Sequence, residues 1–265
     1  MKKTLVVLLV LAVSACAFGY DDKDVKDTNK AEDRVEAAGT VLDEIESAPD
    51  TGIPEEVLAS AECVAVVPSL LKGGFIIAAR YGRGVASCRT PAGWSAPAFI
   101  FTSGGSVGFQ IGGQAIDLVM LIMNQDGLKN LLSSKFQLGA DASVAAGPVG
   151  RHAAADTDWK LRAQVLTYSR ARGAFAGISL AGAVVKQDKD ATREFYGRMV
   201  PFRTSLTGKM EAPKNAYPFL NVLAKWAQKA AKEYKPAANT KPAETPKPAE
   251  PAKPADTTTS TPPQN

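Results

Sequence analysis

Gly104-Gly105-Ser106-Val107-Gly108 places a serine in the Gly-x-Ser-x-Gly spacing of a nucleophile elbow, and Asp141 and His152 follow in the Ser, Asp, His order of the α/β-hydrolases. Such a serine works from a sharp turn between strand and helix. Phe109-Gln110-Ile111-Gly112-Gly113 instead alternates like another strand and is broken by glycine. The segment therefore reads as a glycine-rich turn, and a serine hydrolase is a distant alternative. One histidine and three cysteines are too few soft ligands for a zinc or iron–sulfur site, which needs about three or four. No Gly-Lys-Ser/Thr follows a glycine run, and Lys72-Gly73-Gly74 leads into a strand, which argues against a nucleotide loop. The acids Asp117, Asp126, Asp141, Asp156 and Asp158 have no spacing that singles out a general acid and a base. Asp141, set among small residues, suits a buried structural hydrogen bond. No catalytic residue, metal or cofactor is expected.

The cysteines carry a different chemistry. Met1-Lys2-Lys3 is a basic start, and residues 5–13 form an apolar run too short for a bilayer, which needs about 20 residues. That is the layout of an export signal. Val13-Ser14-Ala15-Cys16 then resembles a bacterial lipobox, so Cys16 is expected to be the acylated N-terminus of a lipoprotein, with residues 1–15 as signal and 16–29 as linker. Ala15-Cys16-Ala17 also fits plain signal cleavage, the alternative being a soluble secreted chain. Ala17, rather than an aspartate, after the cysteine suggests the outer membrane, facing the periplasm. Cys63 and Cys88 remain as an even pair in an oxidising compartment, each at one end of an expected strand, so a disulfide between them is expected, the alternative being two buried free thiols.

The net charge of +4 hides a dipole. Residues 21–56 hold 13 acids and 4 bases, and residues 57–235 hold 22 bases and 11 acids. A basic core on an exported chain matches anionic lipid better than nucleic acid.

Helical spacing of apolar residues appears in residues 30–46, with an acidic outer face, and again in 54–61, 124–133, 189–197 and 217–234. Between them, residues 63–67, 74–81, 84–89, 98–102, 107–111, 115–123, 161–169 and 173–185 read as strands punctuated by glycine and proline. The expected fold is α+β: an antiparallel, barrel-like sheet with about three or four helices on its surface. Residues 30–200 form the main domain, 201–235 an extension with an amphipathic helix, and 236–265 a disordered tail. Eight prolines lie in that tail, and Lys-Pro-Ala-Glu/Asp recurs in it with a period of six.

Several motifs in order then closely resemble the SYLF lipid-binding domain: Ala65-Val66-Val67-Pro68, Lys72-Gly73-Gly74-Phe75, Tyr81-Gly82-Arg83-Gly84, Gly93-Trp94-Ser95-Ala96-Pro97, Gly105-Ser106-Val107-Gly108-Phe109-Gln110-Ile111-Gly112-Gly113-Gln114, Leu138-Gly139-Ala140-Asp141-Ala142, Gly147-Pro148-Val149-Gly150-Arg151 and Tyr168-Ser169-Arg170. The resemblance spans about residues 31–197. It implies a β-barrel core with surface helices and binding of phosphoinositides or other acidic phospholipids, and in some relatives actin, which does not suit an exported lipoprotein. The eukaryotic lipid site lies partly in a basic N-terminal segment, whereas the corresponding helix here is acidic. The cations expected to meet anionic phospholipid are Lys72, Arg80, Arg83, Arg151, Arg170 and Arg172, chosen for charge and for nearness to glycine-rich loops. The alternative is a structural or interaction protein of the envelope that binds a protein partner.

Overall fold

The computed structural model describes residues 30–48, 52–74, 77–107, 112–150, 163–171, 174–177 and 180–233. The signal, Cys16, Arg151, His152, Arg172 and the proline-rich tail lie outside them. Helices α1 (Ala31–Glu46) and α2 (Glu55–Ser60) precede strands β1 (Cys63–Gly74), β2 (Ile77–Thr90), β3 (Gly93–Trp94), β4 (Ala98–Val107) and β5 (Gly112–Ile122). Then come α3 (Gln125–Leu132), β6 (Lys135–Gln137), β7 (Val144–Ala146), β8 (Val165–Ala171), β9 (Ala174–Gly177), β10 (Val184–Gln187), α4 (Lys189–Tyr196), α5 (Phe202–Leu206), a 3₁₀ turn (Lys214–Ala216) and α6 (Tyr217–Glu233).

The ten strands make one curled, half-barrel sheet in the order β6-β10-β4-β2-β1-β5-β8-β7, with β3 on β2 and β9 on β8. The α+β expectation stands, with two differences. β7 runs parallel to β8, so the sheet is mixed rather than purely antiparallel. Six α-helices, not three or four, pack on it among the described residues.

Both faces of the sheet are covered, which is why its strands read as nearly continuous apolar runs. Successive side chains alternate between faces. In β1, Val64 and Val66 join Val85, Phe99, Val119 and Tyr168 in a core under α1, α2, α4 and α6. Ala65 and Val67 join Ile100, Leu118, Met120, Val185 and Phe202 in a second core on the other face. α6, expected as an amphipathic extension, supplies Phe219, Leu223 and Trp226 to the first core.

β1 and β2 are longer than their local sequence suggests. Pro68 cannot donate to a ladder, and a bulge interrupts β1 between Val66 and Leu71. There Ser69 takes φ 52° and its N–H donates to Asp117 Oδ1 at 3.0 Å, so the strand resumes beyond the proline. In β2, Gly82-Arg83 reads as the break between strands 74–81 and 84–89. Both residues lie instead inside one strand, which runs so close to β1 that a Cβ on Gly84 would stand 2.1 Å from the Val66 carbonyl oxygen. Cys63 and Cys88 face each other in the β1–β2 register and form a disulfide with Cα atoms 3.9 Å apart.

Candidate functional site: the open arm of the sheet

Beyond the bulge, β1 and β2 continue as an arm flanked by β5 and β4. Residues directly opposite in paired strands share a face, so the arm presents two unlike surfaces. Leu71 opposes Tyr81 on one face; Lys72 opposes Arg80 on the other, with Gln114 of β5 opposite Lys72 on its second side. Leu71 is 48% and Tyr81 45% exposed; among the large apolar side chains described, Tyr217 of α6 is the other exposed one. Tyr81 meets Phe101 edge-on at 4.9 Å, and Lys186 Nζ lies 4.4 Å from the Phe101 ring centroid. Exposed aromatic and aliphatic groups beside cations suit an interface that is wet on one side and apolar on the other.

The six cations chosen from sequence therefore do not form one cluster. Lys72 and Arg80 sit together on one face, and Arg83 lies with Tyr81 on the other, at register positions two residues apart. Arg83 Nε donates to Tyr81 Oη at 3.2 Å and stands 3.5 Å from Asp188 Oδ2. Burial opposes its charge, but Asp188 and Tyr81 outweigh that and hold its pKa above the ordinary arginine value. Arg170 is a strut: it donates to Asp117 Oδ2 at 2.8 and 3.2 Å and pairs with Glu44 of α1. Asp117 thereby ties Arg170 to the β1 bulge. Arg151 and Arg172 fall outside the described residues. Sequence reasoning missed Lys186, Tyr81 and Leu71; the signal available for Tyr81 was its place among glycines, where a large ring has no local packing partner.

Beneath the arm, Arg34 of α1 is fully buried, its Nη1 3.6 Å from Asp188 Oδ2 and its guanidinium 6.0 Å from the Phe99 centroid. Asp188 Oδ1 accepts the Ala191 N–H at 3.1 Å and so caps α4. Burial lowers the Arg34 pKa against the pull of Asp188. This cluster ties α1, α4 and β2 together.

The other motifs stay structural. Ser106 lies in β4, opposite Ala78, and β4 is followed by β5 rather than by a helix, so the elbow geometry is missing. Asp141 Oδ2 accepts the Gln137 N–H at 2.7 Å in an exposed turn: a structural hydrogen bond, though not the buried one expected. Among the described residues, no group of three or more His, Cys, Asp or Glu could hold a metal, and no helix is long and apolar enough to cross a membrane.

A family model described as Ysc84, a Las17-binding protein and actin regulator, matches residues 103–226. The SH3 domain-containing YSC84-like protein 1 of Xenopus laevis is 36% identical over 184 residues, which cover 68% of this chain and 55% of that protein. Its human counterpart is 35% identical over 188 residues, covering 70% and 54%. LAS seventeen-binding protein 3 of Saccharomyces cerevisiae is 34% identical over 192 residues, covering 71% and 41%. The chain spans about half the length of the curated relatives it matches.

Proposed function

From the premise that this chain belongs to the Ysc84, or SYLF, family, we propose that it is a non-enzymatic, exported lipoprotein whose domain touches anionic phospholipid through the open arm. The observation that carries the reading is the arm's composition: an exposed Leu71–Tyr81 pair on one face and Lys72 opposite Arg80 on the other. Lysine and arginine near a negatively charged surface contribute about 1 kcal/mol each at most. Two or three such contacts give only weak binding. An acyl chain on Cys16 would hold the domain within reach of its own leaflet, and high effective concentration then populates weak contacts. Phosphoinositide preference, the outer membrane and the Cys16 anchor belong to this proposal.

Vesicle flotation of the unlipidated chain tests it. Anionic vesicles should carry the protein at low salt and release it at about 1 M salt, where the screening length falls to about 3 Å. Lys72→Glu with Tyr81→Ser should abolish flotation, and binding that survives both molar salt and these changes would remove the reading.

A second reading follows from the relatives' names, which describe a Las17-binding protein. Here the arm, or the proline-rich tail, would meet a protein of the envelope. Persistent solubility beside anionic vesicles, together with specific capture of an envelope protein that is lost on Tyr81→Ser, would favour it.

A further inference from the structure

Residues 63–116 contain no aspartate or glutamate, and their only cations are Lys72, Arg80, Arg83 and Arg89. The fold brings the middle of this stretch to one end of the sheet. β4, β2, β1 and β5 lie side by side, and they finish together: Ile77 opposes Val107, and Gly74 opposes Ala78 on one side and Gly112 on the other. The next register row inward is Gly105, Ala79, Gly73 and Gly113. Gly73, Ala79 and Gly105 are exposed. No residue of these end rows is charged.

The first charged row is Gly104, Arg80, Lys72 and Gln114; behind it come Ser103, Tyr81, Leu71 and Ala115. From Lys72 to Gly74 and from Arg80 to Ile77 the strands run on for roughly 7–10 Å, at about 3.3 Å per residue. Elements that lie in a membrane interface bury their apolar part about 5–10 Å into the boundary between head groups and acyl chains. Lysine, arginine and tyrosine sit at head-group level. The order of chemistry along the arm is the same. Its backbone also sets a limit on depth. β4 pairs with β10 only as far as Ser103, and β5 pairs with β8 only from Asp117, so beyond those residues each has no ladder partner on its outer side among the described residues. Unpaired strand edges are excluded from hydrocarbon, which holds the end at the hydrated boundary.

We propose that the uncharged end of this four-stranded arm enters the boundary between head groups and acyl chains of an anionic bilayer, tilted onto the face of Leu71, Ala79 and Tyr81, with the Lys72–Arg80 row level with the phosphates. The inference rests on the anionic-lipid reading of the arm and deepens it: the ligand is the bilayer boundary and not an isolated head group. Charge agrees, since no acid of residues 63–116 opposes the approach. Shape agrees as well. A protein partner gains its affinity from large anchors in fitted pockets, and an end row of glycine and alanine supplies neither. A fluid boundary moulds itself to a flat surface. Leu71 and a few small residues bury too little apolar area to hold the domain alone, so the cations remain necessary and release by salt is still expected.

Depth measurements on the unlipidated full chain test this. Ala79→Trp puts a reporter in the exposed row. On phosphatidylglycerol-containing vesicles at low salt, phospholipids brominated on the upper part of the acyl chain should quench most of the emission it adds to that of the unsubstituted protein. Leu71→Asn with Ala79→Asn adds no charge and should weaken vesicle binding at least about tenfold, the scale of one leucine side chain kept in water. The unsubstituted chain should raise the surface pressure of a phosphatidylglycerol-containing monolayer packed to bilayer density, a readout that needs no variant. Where a variant loses its native circular dichroism, the monolayer decides. Absence of flotation by the unsubstituted chain at low salt would remove the anionic-lipid reading and this inference with it. Normal flotation with an unquenched reporter, an unmoved monolayer or undiminished binding by the double variant would overturn insertion alone and leave an electrostatic contact at the membrane surface.

Discussion

The lower and upper parts of the sheet use the same strands for opposite ends. Below the β1 bulge, every β1 side chain from Cys63 to Val67 is buried, alternately in two cores, and the disulfide and the Arg34–Asp188 cluster sit within that region. Above it, Leu71 and Tyr81 stand in solvent, Lys72 and Arg80 share a register position, and glycine replaces bulk. The lower part buries its side chains in two cores; the arm holds an exposed apolar pair on one face and two cations on the other. Stability should therefore reside below the bulge and binding above it, and substitutions can separate the two.

The largest stability effect is expected at Gly84. A Cβ there would stand 2.1 Å from the Val66 carbonyl oxygen, a backbone atom in the neighbouring central strand that cannot rotate away. Gly84→Ala should force β1 and β2 apart and cost about 3–5 kcal/mol, the range of severe core substitutions. Denaturant melts measure it, and a loss below about 1 kcal/mol would mean that the lower sheet is not the rigid half.

Next comes the bridge. Replacing Cys63 and Cys88 by alanine opens a 25-residue separation and should cost about 3 kcal/mol, mostly through a freer unfolded chain. Both sulfurs are buried, so removing them also leaves unfilled space in the second core. An unchanged melting midpoint under reducing conditions would contradict this.

How far this contrast was readable beforehand depended on whether the deciding partner was near in sequence. The lower strands were legible because two covered faces leave a run such as Val64-Ala65-Val66-Val67 with no polar position. The long β1 and β2 were not, since Pro68 and Gly82 look like local stops; Asp117 takes up the Ser69 N–H beyond the proline, and Val67 and Leu70 of β1 fill the space of the side chain that Gly82 lacks. Arg170 looked like a free cation because Asp117 is 53 residues away. The acids of α1 looked like a solvated outer face, yet those of its last turn meet Arg170, Lys225, Trp226 and a cavity. Lys186 escaped notice because only the β10–β4 register brings it opposite Phe101.

Glu46 is the exception within the helix layer, and its effect on stability depends on pH. Its folded pKa is raised by burial from 4.5 to about 8. Below about pH 4.5 both states hold the proton and the group is neutral in its effect. Between that point and about pH 8 the unfolded chain releases a proton that the folded chain keeps, so stability falls as pH rises, by up to about 1.4 kcal/mol per unit. Above about 8 the loss is complete and the curve flattens. Glu46→Gln should remove this slope and be more stable than the unsubstituted protein at pH 8. Parallel urea melts of the two proteins from pH 5 to 9 would show it, and identical slopes would place the carboxyl in water.

The smallest stability effect, and the sharpest division between the two regions, is expected in the arm. Lys72 and Tyr81 lie above the bulge; neither enters the two cores, and Tyr81 is 45% exposed with Phe101 as its ring neighbour. Losing an edge-on aromatic contact is worth about 0.5–1.5 kcal/mol when buried, and less at a half-exposed ring. Lys72 is partly exposed, and replacing a surface lysine usually changes stability by no more than about 0.5 kcal/mol. Lys72→Gln with Tyr81→Ser should thus leave the urea midpoint within about 1 kcal/mol of the original and still eliminate flotation with anionic vesicles at low salt. The paired measurement is what decides. A variant that floats normally would strip the arm of its binding role, and one that loses several kcal/mol would show that the arm is part of the structural frame after all. Only loss of binding with the fold retained leaves the lower sheet as scaffold and the arm as the surface it holds out.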